Sequence, residues 1–312
     1  MLRSLFPPQL HVFVRDWLSA NNIVLRSRDG NVVVDTGYSK HVPLTLALIA
    51  SRRGMDGEPL ALIVNTHCHS DHMGGNAALH RAYGCPIALP SGEAEKVADW
   101  DERALLLDYA DQHAERFVAD QTIDAGSVQV WGGLEWRAIA APGHDMEALV
   151  FFNDEHGILI SGDALWEHGF GFVMPEAIDP RALPATRATL EALSVLDVKV
   201  VIPGHGEPFV DTRAALDRAF RRLDAMAEDP VRSARHALKV LFTFALLDKG
   251  ALPLAQLPAY FERVGIYRDF NALFFRVPPG ALAERIVGEL EAAGVVRRRG
   301  EVLEPGRDAA AG

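Results

Sequence analysis

Cysteine is almost absent from this sequence: only Cys68 and Cys85 occur among 312 residues. Two thiols make no disulfide framework, which sets aside the small cross-linked secreted classes. A basic excess is lacking too. Asp and Glu number 42 against 31 Lys and Arg, and the net charge of −11 argues against nonspecific attraction to nucleic acid or an anionic membrane surface. No apolar run approaches the length of a membrane span, and Met1 to Pro8 has no signal-peptide core. These absences predict a cytoplasmic protein without a membrane partner. No Gly-x-Ser-x-Gly elbow is present, so the serine-nucleophile hydrolase pattern is missing. Internal repeats are missing as well, and the only biased tract is the small-residue tail Asp308 to Gly312, expected to fray. What is present, 49% hydrophobic and 23% charged residues, is an ordinary globular composition in a chain long for one compact domain.

Against that background one stretch stands apart: Thr66-His67-Cys68-His69-Ser70-Asp71-His72-Met73-Gly74-Gly75. It follows the apolar run Leu60 to Val64, which reads as a buried strand, and precedes Asn76 to Arg81, which reads as a helix opening after a Gly pair. Three His and one Asp therefore sit on the loop at a strand end. A two-residue step in extended chain sends side chains to the same side. His67 and His69 can grip one ion while Asp71 and His72, on the turning loop, reach a second. Imidazole suits zinc and iron, and the carboxylate adds charge and an oxygen. Cys68 points the other way in extended chain and reads as packing.

Elsewhere the chain reads as alternating strands and helices. Asn22–Arg28 and Asn31–Asp35 are strands joined by an Asp29-Gly30 hairpin turn. Asp35 closes the second, either as a surface group or as a partner to a metal-binding His. Val42–Arg53 reads as a helix, Cys85–Leu89 as a short strand, Gly92–Phe117 as mostly helical, and Ile123–Ala141 as two or three strands. A pattern then recurs. Ala138–Ala141 leads to Pro142-Gly143 and His144. Gly157–Ile160 leads to Ser161-Gly162 and Asp163. Val198–Ile202 leads to Pro203-Gly204 and His205. Each is a buried strand, a glycine turn and a potential ligand, and strand ends gathered on one side would bring these groups to the first cluster. His11, His41, His80, His113, His156 and His236 read as ordinary residues. His168 is a further candidate for the pocket edge.

Thr212–Glu228 is a helix, after which the character changes. Apolar helices at Ala234–Leu247, Leu254–Val264 and Ala281–Ala293 precede a hairpin at Val295–Leu303, a winged-helix-like arrangement. The expected domains are 1–230 and 231–312. The second carries 12 Lys/Arg and 9 Asp/Glu, a net +3 against −14 for the rest. One Arg297-Arg298-Arg299 triplet on so acidic a chain favours packing or a homodimer interface over nucleic-acid binding.

The ordered set His67-x-His69-x-Asp71-His72, His144, Asp163 and His205 resembles that of the metallo-β-lactamase-fold hydrolase superfamily, from about Asn22 to Pro208. The resemblance implies an α/β fold, a four-layer αβ/βα sandwich of two facing mixed sheets with helices outside, here followed by the small winged-helix-like domain. It implies two divalent metal ions, zinc first, with iron or manganese as alternatives. One would lie on His67, His69 and His144, a second on Asp71, His72 and His205, and Asp163 would bridge them. Departures sort the branches. True β-lactamases of this fold usually place a Cys at the second metal, where this chain has Asp71 and His72, so antibiotic hydrolysis is not expected. Oxygen-reducing diiron members have an acidic residue in place of His69, and RNA-cleaving members carry a large inserted domain. Glyoxalase II and persulfide dioxygenases have a Gly-Cys-Gly-Arg-like run where this chain has Gly169-Phe170-Gly171-Phe172.

The implied chemistry is that of the dinuclear glyoxalase II-like and lactonase-like branch. Two metals share a water, whose pKa falls to about 7, and the hydroxide attacks a carbonyl polarised by one metal. Asp71 and Asp163 are the candidate catalytic carboxylates, offsetting the metals' charge and able to take up a proton. The fitting substrates are small-molecule esters, thioesters and lactones, with Trp166, Phe170 and Phe172 as an apolar acyl pocket. Iron-dependent thiol or persulfide oxidation on the same ligands, and nucleic-acid processing through the tail, are the alternatives.

Overall fold

Strands β1 (Leu10–Phe13), β2 (Asn22–Leu25), β3 (Asn31–Val34), β4 (Leu60–Val64), β5 (Ile87–Pro90) and β6 (Gln121–Ile123) form one sheet in that order in the computed structural model, which describes residues 5–306. The Asp308–Gly312 tail lies outside the described residues. Pairing is antiparallel from β1 to β3 and parallel from β3 to β6. Strands β7 (Val128–Trp131), β8 (Leu134–Ala140), β9 (Leu149–Asn153), β10 (Ile158–Gly162) and β11 (Val200–Pro203) form the second, in the order β11-β10-β9-β8-β7. Only β10 and β11 run parallel there. Leu25, Val34, Val64, Trp136, Phe151 and Ile202 belong to the one buried cluster that both sheets feed. Each such side chain stabilises the fold by about 1.5–3 kcal/mol relative to exposure. Helices α1 (Val42–Ala50), α2 (Ser70–Met73), α3 (Asn76–Tyr83), α4 (Ala94–Asp99), α5 (Leu107–Ala110), α6 (Ala182–Ser194) and α7 (Thr212–Glu228) complete the connections. The result is the expected α/β architecture, the four-layer αβ/βα sandwich.

The expected helical character of 92–117 is not observed. Apart from a 3-10 turn at Ser91–Glu93, only α4 and α5 are helical there, six and four residues long. Trp100, Leu106 and Asp111 take positive φ, which stops helix propagation at three points. Strand β9 carries no sequence signal of its own, because all five residues are buried and no alternation survives. Helix α6 is not among the elements expected from sequence, and it contains Pro184. That proline falls in the first turn, where its missing N–H has no intrahelical partner to lose.

The chain divides into two compact units. One comprises residues up to Leu105 with His113–Asp224, and the other Leu106–Gln112 with the chain from Ala225 onward. Sequence places the boundary at 230. The second unit also takes in 106–112 because Asp111 accepts a hydrogen bond from Tyr260 Oη at 2.9 Å and pairs with Lys249 at 2.8 Å. It holds α8 (Pro230–Lys249), β12 (Leu252–Pro253), α9 (Leu257–Arg263), α10 (Gly265–Phe270), α11 (Pro279–Ala292), β13 (Val296–Arg299) and β14 (Val302–Pro305), the strands ordered β12-β14-β13. Phe242, Phe261 and Tyr267 form its aromatic core, with Phe261 stacked on Tyr267 at 4.7 Å. No helix among the described residues is long and apolar enough to cross a membrane.

Candidate metal centre

Strand ends build the site. Parallel pairing of β3 with β4 and of β10 with β11 sends their carboxyl ends the same way within each sheet, the place where open α/β sheets present ligand-binding loops. Strand β4 stops at Val64, so Thr66, His67 and His69 lie on the loop, and α2 then carries Asp71 and His72. His144 follows β8, Asp163 follows β10, and His205 follows β11. The amide of Leu149, opening β9, donates to Thr66 O at 2.9 Å and so ties the second sheet to the first loop.

His67 Nε2 lies 3.1 Å from His69 Nδ1, which lies 2.8 Å from His144 Nε2. The other ring nitrogens are already engaged. His67 Nδ1 meets Thr66 Oγ1 at 3.1 Å, His144 Nδ1 donates to Phe172 O, and His69 Nε2 faces Asp145 Oδ2 at 3.7 Å. Three lone pairs therefore aim at one point, which is repulsive unless a cation sits there. Burial holds the pKa of His67 well below its ordinary value and that of His69 down to about 4, with the neighbouring imidazoles adding to both shifts. Neutral rings are what metal binding requires.

The second group is Asp71, His72 and His205. His205 Nε2 lies 3.0 Å from Asp71 Oδ2. His72 Nδ1 lies 2.8 Å from Asp35 Oδ2, and its buried Nε2 stands 3.3 Å from Asp163 Oδ1 without a well-aligned hydrogen bond. Burial alone would lower the ring's pKa, but the charges of Asp163, Asp35 and Asp71 raise it well above the ordinary value, as a cation's place held by a proton would. A buried orphan of this kind is costly, and a cation in the cluster would satisfy it. Asp163 lies between the groups, 3.4 Å from His144 Nε2 and 3.9 Å from His205 Nε2. Burial pushes its carboxyl up, but His72 and His205 outweigh this and hold it well below the usual carboxylate range. Gly204 is required by space, since a Cβ there would stand 2.2 Å from Asp163 Oδ1. The donor set, five imidazoles with two carboxylates, fits a pair of divalent cations.

All seven sequence candidates thus converge. Asp35, open between two readings, is buried and braces His72. His168 does not converge: its side chain is 81% exposed, beside Glu167. Phe170 is buried under the Arg222 guanidinium, whereas Trp166 packs on His205. Cys68 is buried packing, its thiol raised well above its ordinary value by burial. Sequence reasoning missed Trp17, Asn21, Glu93 and Asp145. Asn21 Nδ2 donates to Pro203 O and Gly206 O at 2.9 and 2.8 Å, fixing the His205 turn. Only a buried polar residue ahead of a strand signals it.

Glu93 is buried and bonded to both Asp145 and Lys96. Burial and the charge of Asp145 push its carboxyl up to about 9. The folded chain therefore binds a proton there that the unfolded chain releases near pH 4.5, and stability falls as pH rises from there to about 9. Glu93→Gln keeps a donor for Asp145 without that proton. Urea unfolding between pH 5 and 9 should show a shallower pH dependence in this variant, and an unchanged slope would contradict the assignment.

The metallo-beta-lactamase superfamily model matches residues 15–205. The chain belongs to this superfamily. A hydroxyacylglutathione hydrolase of Bdellovibrio bacteriovorus is 30% identical over 112 residues, 36% of this chain and 37% of that one. The chain spans about a third to a half of the length of the curated relatives it matches. A beta-lactamase domain protein from Burkholderia ambifaria superposes with a TM-score of 0.57 at 22% identity, covering 96% of this chain and 92% of its own. The FEZ-1 metallo-beta-lactamase of Legionella gormanii does so with a TM-score of 0.59 at 14% identity, covering 70% and 93%. These two likenesses speak for the fold alone.

Proposed function

We propose that this chain is a dinuclear metal-dependent hydrolase of a small-molecule ester, thioester or lactone. The observation that carries it is the convergence of His67, His69 and His144 on one side of Asp163, and of Asp71, His72 and His205 on the other. In this reading His67, His69 and His144 hold one ion, Asp71, His72 and His205 the second, and Asp163 both. A pair of ions held there, zinc first, would lower the pKa of a water so that a hydroxide nucleophile is available at neutral pH, and would polarise a substrate carbonyl. The chain's own residues do the rest. Asp35, Thr66 and Phe172 O fix the imidazole tautomers so that a lone pair faces each ion. Asp71 and Asp163 balance positive charge and can accept the proton released on attack. Trp17 and Trp166 supply an apolar wall beside His205.

A small-molecule substrate is favoured over nucleic acid. Arg297, Arg298 and Arg299 all stand within ion-pair reach of Glu304, Glu284 or Glu291, which offsets their pull on phosphate. The relative named a hydroxyacylglutathione hydrolase supports the thioester within the class. The two buried free thiols fit a reducing, cytoplasmic compartment.

The test is a substrate panel run on protein whose metal content is measured in the same sample. We expect two ions per chain after loading with zinc, manganese or iron, and turnover of an acylthioester, an ester or a lactone. A chain that never exceeds one ion overturns the dinuclear reading. A fully loaded chain that hydrolyses none of the three overturns the substrate class. Oxygen uptake with a persulfide would move it to the oxidative branch, and β-lactam turnover to the antibiotic one.

A further inference from the structure

The two oxygens of Asp163 have different surroundings. Oδ2 faces both histidine groups, whereas Oδ1 accepts the indole N–H of Trp166 at 3.2 Å and lies 3.3 Å from His72 Nε2. The terminal torsion of an Asp is broad and roughly two-fold, so a carboxylate with no fixed donor has no preferred rotation. A hydrogen bond to an ionised acceptor is among the stronger ones and can set that rotation. The same indole packs edge-on against His205 at 5.3 Å and against Trp17 at 5.6 Å, and Trp17 meets His205 at 5.4 Å.

The backbone around Trp166 is held for this purpose. Trp166 N donates to Gly169 O at 2.7 Å, Gly171 N to Asp163 O at 2.8 Å, and Ser161 Oγ to Leu165 O at 2.6 Å. From α7, Arg218 and Arg222 donate to Glu167 O and Phe170 O at 2.7 and 3.0 Å. Gly169, at φ +135°, takes a backbone conformation that L side chains rarely adopt, and a Cβ there would also press on the Arg222 guanidinium at 2.7 Å. The turn after β10 is thus a braced platform for one indole.

We propose that Trp166 is a positioning residue: its N–H fixes the carboxylate rotation of Asp163 so that Oδ2 serves both ions, while its ring seats His205. This rests on the two-ion reading above. Trp166→Phe keeps the aromatic packing and removes the donor. The test compares wild type, Trp166→Phe, Trp17→Phe, Asp163→Ala and the Trp166→Phe/Asp163→Ala double variant. Zinc affinity and stoichiometry are read by competition with a chromophoric chelator, and Tm is measured with and without zinc. We expect Trp166→Phe to keep the metal-free Tm and to bind one ion about 10- to 100-fold more weakly, the effect typical of residues that orient ligands. Its zinc-induced rise in Tm should shrink. Trp17→Phe should keep both affinities. On the Asp163→Ala background, which has no acceptor for the indole, Trp166→Phe should add nothing, because the tie runs through the carboxylate. Wild-type affinity for both ions in Trp166→Phe, or an additive loss in the double variant, overturns the proposal. So does an equal fall in Tm with and without zinc, which would mark a packing role. A wild type that binds a single ion refutes the two-ion reading, and Trp166→Phe must then weaken that ion or the tie is refuted as well.

Discussion

Asp163→Ala should lower kcat/KM for whichever substrate the panel identifies by on the order of 10²–10³-fold, about 2.7–4 kcal/mol of transition-state stabilisation. His168→Ala should stay within about twofold, as surface substitutions do. The two residues are neighbours in sequence and opposites in environment. Asp163 is buried, held ionised against the pull of burial by His72 and His205, and within 4 Å of ring nitrogens from both histidine groups. His168 projects into solvent beside Glu167 at 4.0 Å. Removing the carboxylate takes away charge and the one oxygen that faces both groups, so the metal count should fall along with the rate. Measuring zinc in each variant separates the two losses. Equal rates for Asp163→Ala and His168→Ala, with full metal in both, would remove Asp163 from the reaction.

The positions of the seven converging residues were legible because each follows an apolar strand and a turn, and such spacing survives without knowledge of the fold. His168 had the same chemical type but no strand end behind it, and the structure leaves it in solvent. The supporting residues were far less legible. Asp35 is 37 residues away from His72 in sequence yet 2.8 Å from it, a pairing that the parallel register of β3 and β4 creates. Trp17 and Asn21 precede every motif and acquire meaning only when the N-terminal segment meets the turn after β11, where Asn21 N donates to Gly204 O at 2.7 Å. Glu93 and Asp145 come from different sheets' connections, so their shared proton has no trace in local pattern. The segment 92–117 misled for a different reason: its composition favours helix, but left-handed residues at Trp100, Leu106 and Asp111 break it, and 106–112 pack with the second unit.

Asp35→Ala should damage the protein even without metal. Asp35 is 2% exposed and accepts three hydrogen bonds, from Thr66 N and Oγ1 at 2.9 Å each and from His72 Nδ1 at 2.8 Å. Burial alone would lower the pKa of His72, but the charges of Asp163, Asp35 and Asp71 outweigh it and raise the ring well above its ordinary value. Truncation leaves a buried ring and a buried amide without their acceptor, a change that costs about 3–5 kcal/mol when a buried pair is broken. That is a large share of the 5–15 kcal/mol typical of a folded domain. Asp35 also sits at φ +58°, a region Asp tolerates better than Ala, which adds to the loss. With Nδ1 released, His72 can turn or change tautomer, and zinc affinity should drop by about 10- to 100-fold. Asp35→Asn keeps the shape and one acceptor oxygen but turns an amide N–H toward a donor, so it should fall between wild type and Asp35→Ala. Urea unfolding of the metal-free variants gives the stability, and chelator competition gives the affinity. Loss of affinity with unchanged metal-free stability would mean that Asp35 acts on the ion alone, and wild-type values for both would show that β3 ends in a carboxylate the site does not use.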